Sequence, residues 1–307
     1  MRRPPRGELR KAAAIAKASG ATIELLHALA EPDLGGAFSE ELEEIAVAAR
    51  RRLERVARRQ LPRGLAVRCT TVWDYPPHEA IVRQAVGSRA DLVIAATQPY
   101  HLGGRLLLRN TDWELIRHCP VPVLLVKSRR LSARPVILAA IDPFHTHARP
   151  ADLDARLLAA GKTFARLLRG SLHVFHAYMP VVTVPAVPLG TAPLITLPPD
   201  VEAAHGRHIA QMIDQLAARA RIPRNQRHVQ MGDVTEELRA VVRRTRANLL
   251  VMGAVSRSAL KRLFIGNTAE RVLDRLDCDV LIVKPRGFRS VVPRGRSGPR
   301  RPSTATA

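Results

Sequence analysis

Apolar residues in this chain follow two alternating patterns. Short runs without polar alternation, at 91–97, 120–127, 135–143, 248–253 and 279–284, read as strands buried on both faces. Longer stretches keep their apolar residues to one helical side. Leu9, Ala12, Ala13 and Ala16 line a helix over 8–18 that Ser19-Gly20 ends, and a helix over 39–60 opens on Ser39 with Glu40 and Glu41 in its first turn. Further strands are expected at 22–28, 66–73, 171–178 and 228–231, and further helices at 76–87, 152–168, 201–220 and from Asp233. Thr111 caps another, with Glu114 three residues on completing a capping box. Strands alternating with helices predict a parallel α/β sheet.

The pattern occurs twice. Laying Asp91 on Asn248 brings Lys127 onto Lys284 without a gap, and Arg105/Arg262, Asn110/Asn267 and Thr111/Thr268 are identical pairs. The same alignment puts Trp73-Asp74-Tyr75 over Gln230-Met231-Gly232, so the repeat is domain-sized. The expected division is a first copy over 1–128, a second over 135–285 and a basic, disordered tail over 286–307 that is dispensable for folding. The second copy begins with a strand, Pro135-Val136-Ile137-Leu138-Ala139-Ala140-Ile141-Asp142, that has no counterpart before Glu8. The first copy is therefore expected to lack its first strand. An apolar strand encoded upstream of Met1 is the matching expectation.

Composition narrows the functional classes. No apolar run approaches the roughly 18 residues of a membrane span, and no signal-peptide core follows Met1, so a soluble cytoplasmic protein is expected. Cys69, Cys119 and Cys278 lack metal-ligand spacing and read as small buried hydrophobes. His173 and His176, taken as sharing one face of a strand, could ligate a metal, but no third ligand accompanies them and a structural role is expected. The net charge is +22, yet 43 of the 49 basic residues are Arg, as codon composition alone would give, and aromatics make up only 4%. Nucleic acid is not the expected partner. Between Met179 and Pro199 a proline-rich excursion is expected over the carboxyl end of the sheet.

Val251-Met252-Gly253-Ala254-Val255-Ser256, then Gly266-Asn267-Thr268-Ala269-Glu270 and a strand closing on Val283-Lys284-Pro285, resemble the universal stress protein family. The tandem arrangement, with Thr111-Asp112-Trp113 in the first copy, is similar to the E-type subgroup, and the likeness covers residues 8–285. It implies five-stranded parallel sheets of order 3-2-1-4-5, with ATP, and Mg beside it, held where the strand order reverses. By that resemblance Asp142 lies near adenine and ribose, and Ala140, Ile141, Ala177 and Met252 line the base pocket. Gly253, Ser256, Gly266, Asn267 and Thr268 would meet the phosphates; Ser256 stands in place of a glycine and Asn267 in place of a serine. A glycine at a strand end and a free helix N-terminus suit an anion. Asn267-Thr268 with Glu270 also reads as plain helix capping, and both readings stand.

The expected role is regulatory or sensing, without catalytic residues, because no Gly-x-x-x-x-Gly-Lys-Ser/Thr loop or positioned base is present. The alternative is a scaffold that binds no nucleotide and works through its paired domains or basic surface. Domain pairing within the chain or a homodimer fits either role. If nucleotide binds, the second copy alone is equipped for it: Gly253 aligns with Ala96, Gly266 with Arg109 and Ser256 with Pro99, and nothing in the first copy corresponds to Asp142.

Overall fold

The computed structural model describes residues 6–30, 39–97, 100–102, 105–107, 110–128, 130–144, 152–180, 182–183, 195–196, 198–254 and 276–293. The first copy runs α1 (Arg6–Ser19), β1 (Ile23–Leu29), α2 (Ser39–Gln60), β2 (Val67–Trp73), α3 (Pro77–Gly87) and β3 (Val93–Ala96). Two short strands, β4 (Tyr100–Leu102) and β5 (Arg105–Leu107), then precede α4 (Asn110–His118) and β6 (Val123–Val126). The second runs β7 (Val136–Ala140), α5 (Leu153–Leu167), β8 (Ser171–Tyr178), β9 (Val182–Thr183), β10 (Ile195–Thr196), α6 (Pro199–Arg219), β11 (Arg227–Met231), α7 (Val234–Thr245), β12 (Leu249–Gly253) and β13 (Asp279–Val283). The helix expected at 268 lies outside the described residues. Among the described residues no helix is long and apolar enough to cross a membrane.

Seven strands form one sheet in the order β11-β8-β7-β12-β13-β6-β3. The five strands that the second copy contributes to this sheet are all parallel and lie in the order 3-2-1-4-5 of their own sequence. Helices α5 and α6 cover one face, through Leu153, Leu157, Ile209 and Ile213. Helices α3, α4 and α7 cover the other, through Val82, Leu115, Ile116, Leu238 and Val241. This is a doubly wound sheet. Gly170 lets β8 start beside β7, since a Cβ there would lie 2.0 Å from the Pro135 carbonyl oxygen that Ser171 N donates to.

The first copy is parted where its first strand would lie. Its second and third strands, β1 and β2, pair with each other in a separate two-stranded sheet, while β3 and β6 continue the sheet of the second copy. Leu9, Ala13 and Ala16 of α1 pack on Ile23 and Leu61 to give the small sheet its own core. Glu24 accepts from Thr70 Oγ1 of β2 at 2.6 Å within the small sheet and ties it to α3 by accepting from Gln84 Nε2 at 2.8 Å.

The junction between the copies is antiparallel: Val280 faces Leu125, Leu281 faces Leu124 and Ile282 faces Val123. Leu124 and Leu281 are equivalent positions of the repeat, so a pseudo-two-fold axis passes between them. The strand-closing lysines follow the same symmetry approximately, since Leu276 is equivalent to Cys119, two residues beyond Arg117. Lys127 Nζ donates to the Leu276 carbonyl at 3.0 Å, and Lys284 Nζ to the Arg117 carbonyl at 3.3 Å. Asp279, equivalent to Pro122, breaks the symmetry. Its Oδ1 accepts from the Lys127 and Ser128 amides, both at 3.0 Å, and its Oδ2 is ion-paired to buried Lys11 of α1.

Three local expectations are corrected. Helix α4 starts a residue before Thr111, and Glu114 does not close a capping box: its carboxylate is taken by Arg117 at 2.7 Å and His118 at 3.0 Å, one turn on. The proline-rich excursion carries an antiparallel pair, Val182 facing Thr196 and Thr183 facing Ile195. The tail does not leave the body at Arg286. The Lys284 ammonium lies 4.4 Å from the centre of the Phe288 ring, Val292 packs against the core, and Arg83 donates to the Pro293 carbonyl at 3.5 Å. Low tail hydrophobicity hid these anchors, because two apolar residues suffice to hold a short segment. Residues 294–307 lie outside the described set.

Two outcomes follow for stability. Asp279→Asn leaves Lys11 buried without its counter-ion and should cost about 3–5 kcal/mol in urea unfolding, whereas Lys11→Met with Asp279→Leu should cost less than the two single changes summed. Ending the chain at Pro293 should leave the melting temperature unchanged. Ending it at Arg286 should lower stability by about 1–3 kcal/mol, the scale of one apolar side chain lost from a packed site.

Candidate functional site

The crevice at the carboxyl ends of β7 and β12 is where strand order reverses. Both strands are fixed by their neighbours: Ala140 pairs with Phe175 of β8, and Val251 pairs with Ala139 of β7. Ile141 N extends the ladder by donating to the Phe175 carbonyl at 3.0 Å. By this register Asp142 emerges beside Ala177 and Gly253 beside Ile141. Six of the expected site residues, Ala140, Ile141, Asp142, Ala177, Met252 and Gly253, therefore come together at the ends of three adjacent strands. Ser256, Gly266, Asn267 and Thr268 lie outside the described residues.

The six divide between the two faces of the sheet. Ala140, Ala177 and Met252 pack into the core beneath α7, while Ile141 is buried on the α5 side. Gly253 also serves packing. A Cβ at this position would come within 2.7 Å of Leu153 Cδ2, so the glycine admits the first residue of α5 against the strand end. Asp142 N donates to Asp154 Oδ1 at 3.1 Å, which fastens the end of β7 to the first turn of the same helix.

Several neighbours were not assigned to this site from the sequence. His176 Nδ1 donates to the Ile141 carbonyl at 3.0 Å, and the Phe144 ring lies 5.8 Å from His176 and 6.2 Å from His208. Lys284 Nζ donates to the carbonyl of Ala254, the residue after Gly253, at 3.3 Å as well as to Arg117. Burial lowers its ammonium to about 8. The identity of Lys127 and Lys284 in the repeat was the available signal. Asp154 and Phe144 had none, because an acid in a first helical turn and a lone aromatic after a strand occur in any α/β protein.

In the first copy the position equivalent to Gly253 is differently occupied. Glu8 of α1 accepts a hydrogen bond from the backbone of Ala96, and burial outweighs that bond to raise its carboxyl to about 7. A carboxyl group already stands at that strand end.

The two histidines expected on one strand face are on opposite faces, because they are three positions apart and side chains alternate with period two. His173 instead meets His228 across the β8–β11 ladder, ring nitrogens 3.0 Å apart and rings nearly parallel. Among the described residues no group of three or more His, Cys, Asp or Glu side chains gathers as for a metal ion. Cys119 and Cys278 are buried, and burial raises their thiols to about 11 and about 12; Cys69 is half-buried.

A tandem doubly wound α/β chain whose two copies share one sheet can be compared with known proteins. The profile described as "Universal stress protein family" matches residues 8–127 and again 136–284. Universal stress protein E of Escherichia coli strain K12 is 30% identical over 249 residues, covering 77% of this chain and 74% of the relative. Its counterpart from Photorhabdus laumondii is 29% identical over 235 residues, covering 74% and 72%. A universal stress protein structure from Archaeoglobus fulgidus superposes with a TM-score of 0.63 at 16% identity, over 91% of this chain and 92% of that one, a likeness of fold. The chain belongs to the universal stress protein family.

The histidine pair sets a pH dependence. Burial holds both imidazoles below the usual range, His228 at about 4 with His173 and Arg244 adding to the effect. Unfolded imidazoles titrate near 6.5. The unfolded chain therefore binds more protons between about 6.5 and 4, and the stability tied to the neutral pair is full above that window and lost as pH falls through it. Thermal melts across this range should fall less steeply for His228→Gln than for the unchanged chain, with the two differing least at neutral pH.

Proposed function

We propose that this protein is a cytosolic, stress-responsive binding protein that holds one adenine nucleotide, ATP by preference, in the crevice of its second copy. What carries the reading is the complete 3-2-1-4-5 sheet of that copy, with β7 and β12 side by side and an acid, Asp142, at the rim of an otherwise apolar floor. At the strand ends Ala140, Ala177 and Met252 would border a purine from the α7 face and Ile141 from the α5 face, and the Asp142 carboxylate suits ribose hydroxyls. The backbone from Gly253 to Ser256 and the Gly266-Asn267-Thr268 turn would take the phosphates. The residue types fit such a ligand: apolar strand ends with few polar groups, followed by glycine-bearing backbone. Mg would arrive with the phosphates rather than in a cage of side chains.

The first copy supports the same reading by contrast. Among the described residues it has no strand that carries an acid to the crevice; it has Ala96 for Gly253, Arg109 for Gly266 and Pro99 for Ser256, and presents Glu8 to the strand end. In its ionised form a carboxyl group there opposes an anionic ligand. Two units of the chain would then differ in role, residues 135–285 binding and residues 1–128 pairing with them.

Titration calorimetry with ATP should give one site per chain. Asp142→Ala should weaken binding about ten-fold or more, the loss of a charge-assisted hydrogen bond being worth about 1.5–3 kcal/mol. Gly266→Arg should abolish it, and Ala96→Gly should leave it unchanged. Two equivalent sites, or a single site indifferent to Gly266→Arg, would reject the proposal. No heat at any concentration would favour the scaffold reading instead.

A further inference from the structure

Strand β11 is an outer strand of the seven-stranded sheet. Its His228 stands opposite Phe175, on the face that α7 covers, and therefore lies diagonal to His173, two residues back along β8. His173 Nδ1 and His228 Nε2 are 3.0 Å apart, and the rings are 10° from parallel. Both side chains are half-buried. They project from paired strands rather than from loops, so the ladder holds the two nitrogens in place.

Neutral imidazole is the form that ligates a metal. Burial holds both rings below the usual imidazole range, so the pair is neutral at neutral pH. Metal–imidazole bonds are about 2.0–2.1 Å long, and an ion at that distance from nitrogens 3.0 Å apart makes an angle of about 90–100° with them. A tetrahedral ion would need them about 3.3–3.4 Å apart. The near-right angle belongs to square-planar and octahedral ions such as copper(II) and nickel(II), for which imidazole is a suitable donor. Arg244, in the last turn of α7, is the charge that opposes a cation here. It is exposed, so water screens it and its long side chain can turn outward.

We propose that His173 and His228 form a cross-strand site for one divalent transition metal that accepts imidazoles at right angles, copper(II) or nickel(II), with water filling its remaining positions. The metal takes the place of the hydrogen now shared between the two rings. The donor ring then carries its proton on its other nitrogen, so both imidazoles stay neutral and no proton is released at neutral pH. Binding fastens β11 to β8 across the ladder and stabilises the sheet edge by mass action. Magnesium and calcium, which prefer oxygen, are not taken. The pair lies in the amino-terminal half of both strands, away from the crevice at their carboxyl ends, so the site does not depend on the nucleotide reading.

The test is a copper(II) titration of the full chain, made without a histidine tag and freed of metal by a chelator, read by electron paramagnetic resonance. It is read at one equivalent, because the chain has 11 histidines that excess copper can reach. A signal from one ion with two nitrogen donors is expected. His173→Gln and His228→Gln, each folded by circular dichroism, should each weaken binding at least about ten-fold and lose the two-nitrogen signal, since even partners outside the ligand set are worth about 10–100-fold. His205→Gln with His208→Gln, which removes two histidines of α6, should change neither. Arg244→Gln, a surface change, should tighten binding several-fold by removing the opposing charge. Nickel(II) should raise the melting temperature of the unchanged chain and leave that of His228→Gln where it was. A one-nitrogen signal from the unchanged chain would overturn the proposal. So would a two-nitrogen signal that survives His228→Gln, or one that disappears with His205 and His208.

Discussion

Three antiparallel rungs between β6 and β13 hold the two halves of this molecule in one sheet. Without them β3 and β6 would be a two-stranded fragment, which is marginal in water. With them, those strands inherit a sheet already covered on both faces by α5 and α6 and by α4 and α7. The seam is apolar where the strands cross and polar at its ends, where each copy's terminal lysine seals a carbonyl at the end of the other's preceding segment. Asp279 secures one side further. Its equivalent, Pro122, has no amide hydrogen and no charge, whereas Asp279 N donates to Asn248 and its carboxylate gathers Lys11 and two amides of the connecting segment. The link from α1 to the second copy is thus ionic and buried. Its strength depends on both partners being present.

The same seam explains why the first copy tolerates a parted sheet. Its strands divide between two supports: β3 and β6 on the neighbouring copy, β1 and β2 on α1 and α2. Glu24 and the Arg83 pairing with Asp74, at 2.6 and 2.7 Å, span the division with polar contacts rather than a strand ladder. Among the described residues no strand lies between β1 and β3, and the positions equivalent to Gly253, Ser256 and Gly266 hold Ala96, Pro99 and Arg109.

Most of the architecture was legible because the strands of a buried parallel sheet are apolar on both faces and their crossover helices are amphipathic. The helix at 39–60 and the strand at 171–178 emerged with the expected ends, since Ser39 and Gly170 are strong local signals. The gap before Glu8 was visible only through the repeat. What could not be read were contacts that depend on three-dimensional neighbours: Lys11 with Asp279, His173 with His228, and Val292 on the core. Glu114 was misread for a related reason. Capping and an i,i+4 pair draw on the same carboxylate, and buried His118 offered the better partner. At the crevice, the pattern located the strand ends and Asp142, while Asp154, which fastens Asp142 from α5, gave no pattern of its own.

A register centred on one equivalent position, Leu124 against Leu281, is the one that two identical chains would adopt about a dyad. Joined in tandem, the two partners are never farther apart than their linker allows, and pairing proceeds at the effective concentration of a tethered reaction. Dilution, which would dissociate a pair of separate subunits, leaves this seam untouched. Its strands can therefore be few and its contact short, because covalent continuity supplies the proximity that a larger interface would otherwise have to secure.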